Sequence, residues 1–427
     1  MKVFFHTLGC KVNQYETEYM RLSLNSAGYE NTAEPDKADI VIVNSCTVTG
    51  ESDRKTGQLV RKYRRLNKEG VIVLTGCMPQ AFPTKAEELP ADIILGNGSG
   101  RNIVSVLERF FQTGQRIVDV PKHKKGEEFE KCSIDTFSER TRAYMKIEDG
   151  CDRGCTYCII PKARGRVRSR SLEDIKGEAS ALGLAGFKEI ILVGINLSSY
   201  GKDIGLTLAD AVEAVAKADG VERIRLGSLE PDLTDEPLLE RLKQIPEFCP
   251  QFHLSLQSGC DETLKRMNRL YSSEEYKKIV KAIRSRWENA GITTDIMVGF
   301  VGETDEEFLS SLKFAEEIGF VKAHIFPYSV REGTAAAAMT GKVDGKIKNQ
   351  RAALMAERLN KKSLEIFADQ KGKIFSVLFE TKEDDYILGY GENYMPVYVK
   401  AEADNLHTVK NVKITGVYKD GAMGEII

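Results

Sequence analysis

No apolar run in this chain is long enough to span a bilayer, so nothing in it predicts a membrane segment. An excess of one charge is missing too: 61 Lys and Arg against 63 Asp and Glu give a formal net charge of -2. That balance excludes the global basic field of many nucleic-acid binders, so any RNA contact must use local patches. A leader peptide is not expected: the short apolar run at the start is interrupted by His6 and Thr7, with no small-residue cleavage site after it. The expected compartment is the cytoplasm. Low-complexity tracts and repeats beyond a βα period are absent, and the five His residues show no metal-ligand spacing.

What is present is a folded chain in several parts. A length of 427 residues suggests about three domains, and 42% hydrophobic with 29% charged residues suits a soluble globular composition. Nine cysteines in a cytosolic protein stay reduced, so their clustering points to metal or catalysis before disulfides.

The fold class is α/β. Residues 1–120 alternate short β-branched runs (2–9, 39–45, 71–76, 91–96) with helical patterns (15–27, 51–67, 100–112), which predicts a parallel sheet. A polar stretch at 121–141 without period is read as a linker. Residues 142–370 carry six apolar runs, at 143–148, 189–194, 223–228, 252–257, 294–299 and 323–328, each followed by a helical pattern. Six βα units predict a partial TIM barrel, (βα)6, with its chemistry at the carboxyl ends of the strands. A long helix over 346–370, with Leu354, Leu359 and Ile366 among its apolar positions, leads out of it. Residues 371–427, rich in short β runs punctuated by Gly and Asn, predict a small antiparallel β-barrel.

Cys151, Cys155 and Cys158 form a CxxxCxxC motif directly after the first strand of the second domain. Three soft thiolates suit zinc or an iron–sulfur cluster, but a closed zinc site wants four ligands and no nearby His supplies one. A cluster held by three cysteines keeps one iron open for an exogenous ligand. Cys10, Cys46 and Cys77 each follow a strand of the first domain, so a parallel sheet would bring all three to one carboxyl edge. Gly9 and Gly76 beside them would let backbone approach a bulky inorganic core. Spacing alone leaves open ordinary buried cysteines in both sets and, for the first, a zinc knuckle with a distant ligand. Cys132, Cys249 and Cys260 lie outside both trios and are expected not to be ligands.

CxxxCxxC, with Tyr157 before its third Cys, resembles the radical S-adenosylmethionine superfamily. GCxxN at 9–13, NxCxVT at 44–49 and TGC at 75–77 resemble the amino-terminal domain of the methylthiotransferase family within it. The likeness covers essentially the whole chain, including 192–201, 253–259, 295–304 and 324–329, and a carboxy-terminal barrel similar to the small RNA-binding (TRAM) domain of these enzymes. It implies two [4Fe–4S] clusters: one on Cys151, Cys155 and Cys158 that chelates and reductively cleaves S-adenosylmethionine, and an auxiliary one on Cys10, Cys46 and Cys77 that carries the inserted sulfur. A reducing electron donor is implied with them.

The stretch Lys11–Glu16 (KVNQYE) and the run 197–200 (LSSY) resemble the branch acting on N6-threonylcarbamoyladenosine at position 37 of tRNA, beside the anticodon. The implied product is the 2-methylthio derivative. Close relatives act on isopentenyl-adenosine or on a ribosomal-protein aspartate. C2 of adenine is an unactivated aromatic carbon, so radical chemistry is the direct route, and an anticodon loop can present an unpaired base without melting a duplex. Expected cofactor contacts are Tyr157, Gly194, Asn196, Ser255 and Gln257. Lys162, Arg164, Arg166, Arg168 and Arg170, a basic run with no acid among its members, are expected to hold RNA phosphates. The carboxy-terminal barrel, with seven Lys against nine Asp or Glu, is by contrast slightly acidic. Rival classes are a non-catalytic iron–sulfur protein that binds RNA or carries electrons, and a zinc-dependent structural module.

Overall fold

The computed structural model describes residues 1–137, 141–400 and 403–427, so part of the expected linker, residues 138–140, lies outside the described residues. Near the amino terminus, six parallel strands line up as Glu30–Asn31, Lys2–Thr7, Ile40–Ser45, Val71–Gly76, Ile93–Leu95 and Ile117–Asp119. The central runs are apolar throughout because helices cover both faces of the sheet. Ile40, Ile42, Val71 and Val73 pack into one core with Leu24 and Leu107, while Val41, Val43, Ile72 and Leu74 pack into another with Val60 and Tyr63. The first helix spans Lys11–Ser26 and so starts four residues earlier than the apolar pattern indicates, with Cys10 in extended backbone as its N-cap.

Six further parallel strands follow: Arg142–Lys146, Glu189–Val193, Arg223–Leu226, Gln251–Leu254, Gly291–Val298 and Lys322–Pro327. The third continues past Gly227 as Ser228–Leu229, and there its pairing passes from the second strand to the fourth. Arg142–Lys146 and Lys322–Pro327 are sheet edges, so the barrel is open on one side. Capping boxes at Thr207/Asp210, Ser272/Glu275 and Thr304/Glu307 start three of the outer helices. The outgoing helix Gly345–Ala368 buries Arg351, Met355, Leu359, Ser363 and Phe367, one residue in four. Leu354 falls off that stripe and is 38% exposed, which corrects its expected apolar role.

The last five strands close into a barrel in the order Ile374–Glu383, Tyr386–Gly391, Pro396–Val399, Gly421–Ile426, Val409–Tyr418. Phe375, Val377, Phe379, Val397, Val399, Val412 and Ile414 fill it with the period of two that its sequence shows. The barrel is not purely antiparallel: Pro396–Val399 pairs parallel with Gly421–Ile426. An odd number of strands closed into a ring cannot alternate direction all the way round, so at least one parallel pair is required. This barrel docks on the amino ends of the six-stranded domain, where Arg223 and Arg225 donate to the carbonyls of Ser376, Tyr390, Gly391 and Glu392.

Candidate active site

The carboxyl edge of the first sheet meets the carboxyl ends of the barrel strands. Buried charge crosses the contact: Arg164 and Lys146 both reach Glu16, and Arg331 binds Asp53 at 2.6 Å and Thr47 at 2.7 Å. Lys146 and Arg164 also hold Asp149, and with Arg168 they keep its carboxyl well below the usual range against the opposing effect of burial. Both cysteine trios lie in this region.

Cys10, Cys46 and Cys77 come from three separate segments that side-chain amides and a hydroxyl tie together. Asn13 donates to Asn44 Oδ1 and to the Ser45 carbonyl, each at 3.1 Å, while Asn44 donates back to the Asn13 carbonyl at 2.9 Å. Ser45 Oγ donates to the Thr75 carbonyl at 2.6 Å and accepts from Met78 N–H, which joins the second segment to the third. Each such buried bond stabilises by about 1 kcal/mol. The glycines serve the same closure. A Cβ on Gly9 (φ +114°) would lie 2.9 Å from Cys46 Cβ, and one on Gly76 (φ +99°) 2.5 Å from the Ser45 carbonyl oxygen. Both admit protein against protein, and their positive φ favours glycine in any case.

The second trio sits on one loop. Its shape is fixed from outside: Thr156 N–H donates to the Met267 carbonyl, Asn268 Nδ2 to the Gly154 carbonyl and Ala336 N–H to the Thr156 carbonyl. Tyr157 packs edge-on against Phe300, 6.2 Å between centroids, and so acts as a wedge under the loop.

Each trio is met by one buried guanidinium. Arg164 Nε donates to Cys77 Sγ at 3.2 Å, and Arg269 Nη1 donates to Cys155 Sγ at 3.3 Å. Burial pushes the thiols up, Cys77 and Cys158 to about 12 and Cys151 to about 11. Such thiols release protons readily only against a bound cation. Among the described residues no three His, Cys, Asp or Glu side chains gather closely enough for a single metal ion. Soft donors three at a time, each trio beside an N–H···S donor, suit an iron–sulfur core.

Around the strand ends several buried acceptors have no partner: Glu148 Oε1, Asn196 Oδ1 and Gln257 Oε1. Asn196 turns its Nδ2 towards Cys151 Sγ at 3.6 Å, and its N–H donates to Glu148 Oε2 at 2.7 Å. Gly194 is pressed on Glu148, whose Oε2 would stand 2.5 Å from a Cβ there. Gln257 has φ +62°, a strained backbone of the kind found at ligand sites. The Ser255 carbonyl accepts from Tyr271 Oη at 2.6 Å and from Arg269. Unpaired acceptors beside the thiol loop fit the ammonium and hydroxyl groups of a nucleoside cofactor.

A cavity of about 580 Å³ lies between the two domains, within the range of small-molecule sites. Cys10 and Lys11 line it from the first domain, and Gly194, His253, Asp295 and His324 from the barrel. Of the expected cofactor contacts only Gly194 reaches it. Burial, together with Arg142 and Arg225, lowers the Lys11 ammonium to about 8.

The basic run divides. Arg164, Arg168 and Arg170 are buried in ion pairs with Glu16 and Asp149, Glu127 and Asp149, and Glu178. Their guanidiniums neutralise carboxylates and cannot also face phosphates, which corrects the expectation for these three. Lys162 and Arg166 are exposed, and Arg166 shares a surface hollow of about 350 Å³ with Lys124, Lys125, Arg153 and Cys151. Sequence reading missed Arg269, Glu148 and the two linker lysines; alternation of buried and exposed positions, invisible in a run of basic residues, is what sorts the rest.

Two family models match the chain: the radical SAM superfamily over residues 145–315 and the uncharacterized protein family UPF0004 over residues 2–96. The threonylcarbamoyladenosine tRNA methylthiotransferase MtaB of Thermotoga maritima is 39% identical over 96% of this chain and 94% of its own. Its counterpart in Bacillus subtilis is 36% identical over 96% and 93%. The tRNA-2-methylthio-N(6)-dimethylallyladenosine synthase of Clostridium novyi is 35% identical over 100% and 96%. Among solved structures, the radical S-adenosylmethionine methyltransferase TsrM of Kitasatospora setae, with cobalamin and a [4Fe-4S] cluster bound, superposes with a TM-score of 0.59 at 13% identity, covering 79% of this chain and 74% of that one. That likeness is one of fold.

Proposed function

We propose that this chain, which belongs to the radical S-adenosylmethionine methylthiotransferase family, places a methylthio group on C2 of N6-threonylcarbamoyladenosine at position 37 of tRNA. The observation that carries the reading is a single cavity lined by Cys10 of one thiol trio and by Gly194, two residues before the Asn196 that faces Cys151 of the other. A base seated there would lie beside Cys10 and next to the strand end whose loop carries Asn196 to Cys151. The threonylcarbamoyl substrate rests on the relatives at 39% and 36% identity whose names carry it.

Cys151, Cys155 and Cys158 would hold one [4Fe–4S] cluster and Cys10, Cys46 and Cys77 the other. With S-adenosylmethionine bound they supply the electron, the radical and the sulfur that an unactivated aromatic carbon requires. The chain's own residues supply the rest. Arg164 and Arg269 place positive charge against one sulfur of each trio, which suits an anionic core. Glu148, Asn196 and Gln257 offer acceptors to the cofactor's ammonium and hydroxyls. The docked first domain covers the barrel mouth and so keeps bulk water from the reacting centre.

Lys162, Arg166, Lys124 and Lys125 are exposed cations near the thiol loop that would meet the phosphates of an anticodon stem-loop, Arg166 exchanging its surface pairing with Asp152 for one of them. Among the described residues no helix is long and apolar enough to cross a membrane, and a tRNA substrate assigns the protein to the cytoplasm, where a reducing electron donor would serve it. Mass spectrometry of tRNA nucleosides tests the reading. With the gene present the 2-methylthio derivative of N6-threonylcarbamoyladenosine is expected; without it, the unmethylthiolated nucleoside. Loss of the isopentenyl derivative in its stead would overturn the substrate.

A further inference from the structure

The first helix turns two polar side chains, Lys11 and Gln14, towards the cavity. Lys11 and Gln14 are one helical turn apart and line the same space. Lys11 Nζ lies 5.9 Å from the centroid of the Tyr144 ring, and among the described residues no hydrogen bond or ion pair engages it. Gln14 Oε1 is buried without a partner. A half-buried ammonium that meets only the face of the Tyr144 ring, and a buried amide oxygen without a partner, both gain from a ligand that completes them. The one carboxylate among the lining residues, Asp295, is already engaged: His253 Nε2 lies 3.3 Å from it.

We propose that Lys11 and Gln14 form a subsite for the N6 substituent of the substrate base, with the Lys11 ammonium binding the substituent's carboxylate and the Gln14 amide oxygen accepting from its ureido or hydroxyl group. The inference rests on the threonylcarbamoyl reading above and says how that substrate is chosen. On adenine, only N1 separates C2 from C6, the carbon that bears the substituent. A base whose C2 is turned to the Cys10 side therefore carries its substituent past the residues next to Cys10 in the chain, and those are Lys11 and, one turn on, Gln14. An isopentenyl substituent has no group to pair with an ammonium and would leave the Lys11 ammonium without a counter-ion and Gln14 Oε1 without a donor. Selectivity of this kind, in which the wrong ligand strands a buried polar group, is the strong kind.

The test uses the full-length protein with both clusters loaded and two anticodon stem-loops, one bearing N6-threonylcarbamoyladenosine and the other its methyl ester. The wild-type protein should bind the acid roughly ten- to hundredfold more tightly than the ester, the range for a charge-assisted hydrogen bond. Lys11→Met, at unchanged iron content, should bind the two alike, and Lys11→Arg should restore most of the preference. Equal binding of acid and ester by the wild type overturns the subsite without any variant, and so does a Lys11→Met protein that still prefers the acid. If the wild type acts on an isopentenyl stem-loop and ignores both others, the substrate reading itself has failed and the subsite falls with it.

Discussion

At the amino ends of the barrel strands Glu189 accepts from Arg223 at 2.8 Å and from Arg225 at 3.0 and 3.1 Å, with Arg142 at 3.6 Å, and these arginines continue into the carboxy-terminal barrel. At the carboxyl ends Glu148 Oε1, Asn196 Oδ1 and Gln257 Oε1 find nothing, and each of two thiol trios meets a buried guanidinium. The same strands thus finish one way in a satisfied ionic lock and the other way in groups that await a ligand. Stability resides where every polar atom has its partner, and chemistry where some do not.

The largest effect expected comes from breaking the unsatisfied end. Replacing Cys151, Cys155 or Cys158 by Ala should abolish both 5′-deoxyadenosine release and methylthiolation. Replacing Cys10, Cys46 or Cys77 should abolish methylthiolation and leave 5′-deoxyadenosine release measurable by chromatography. Methylthiolation that survived all three latter changes would remove the auxiliary site from the proposal.

Breaking the satisfied end should do the reverse. Glu189→Gln leaves three buried guanidiniums without their shared carboxylate, a loss of about 3–5 kcal/mol for a buried pair. Thermal unfolding should show it, while iron content stays at two clusters per chain. The lock also has a pH signature. Burial alone would raise the Glu189 carboxyl, but Arg225, Arg223 and Arg142 hold it well below its ordinary 4.5. A depressed carboxylate contributes stability that is fully present above the unfolded value and is lost as pH falls towards the folded one. Wild type and Glu189→Gln should therefore differ by a constant margin from neutrality down to about pH 5, and the margin should shrink below pH 4.5. A margin constant down to pH 3 would deny the lock its role.

How much of this could be read without coordinates follows the same division. The CxxxCxxC loop is legible because its ligands are local. Cys10, Cys46 and Cys77 are legible only through the logic of a parallel sheet, which sends the ends of successive strands to one edge. Strand and helix positions followed from apolar periodicity, and the early start of the first helix did not, because its first turn is polar: Asn13 is held by Asn44 and Ser45, while Lys11 and Gln14 face the cavity. The basic run 162–170 misled for a related reason. Five like charges suggest an exposed phosphate-binding run, but Arg164, Arg168 and Arg170 pair with Glu16, Asp149, Glu127 and Glu178, of which Glu16 and Glu127 lie far away in sequence. Long-range pairing leaves no trace in composition.

The smallest effect sharpens the comparison at its rim. Lys162 and Arg166 stand outside both the lock and the cavity, exposed beside the thiol loop. If each meets one phosphate of a single-stranded loop, the double variant Lys162→Ala/Arg166→Ala should lower the slope of log affinity against log salt by about 1.4, near 0.7 per contact. Affinity for the stem-loop should fall, and the preference between acid and ester should not, since phosphate contacts position RNA without reading the base. Titration at several salt concentrations measures the slope. An unchanged slope would move the RNA grip elsewhere on the surface, and a changed acid preference would mean that the rim and the cavity are not the separate regions their burial makes them.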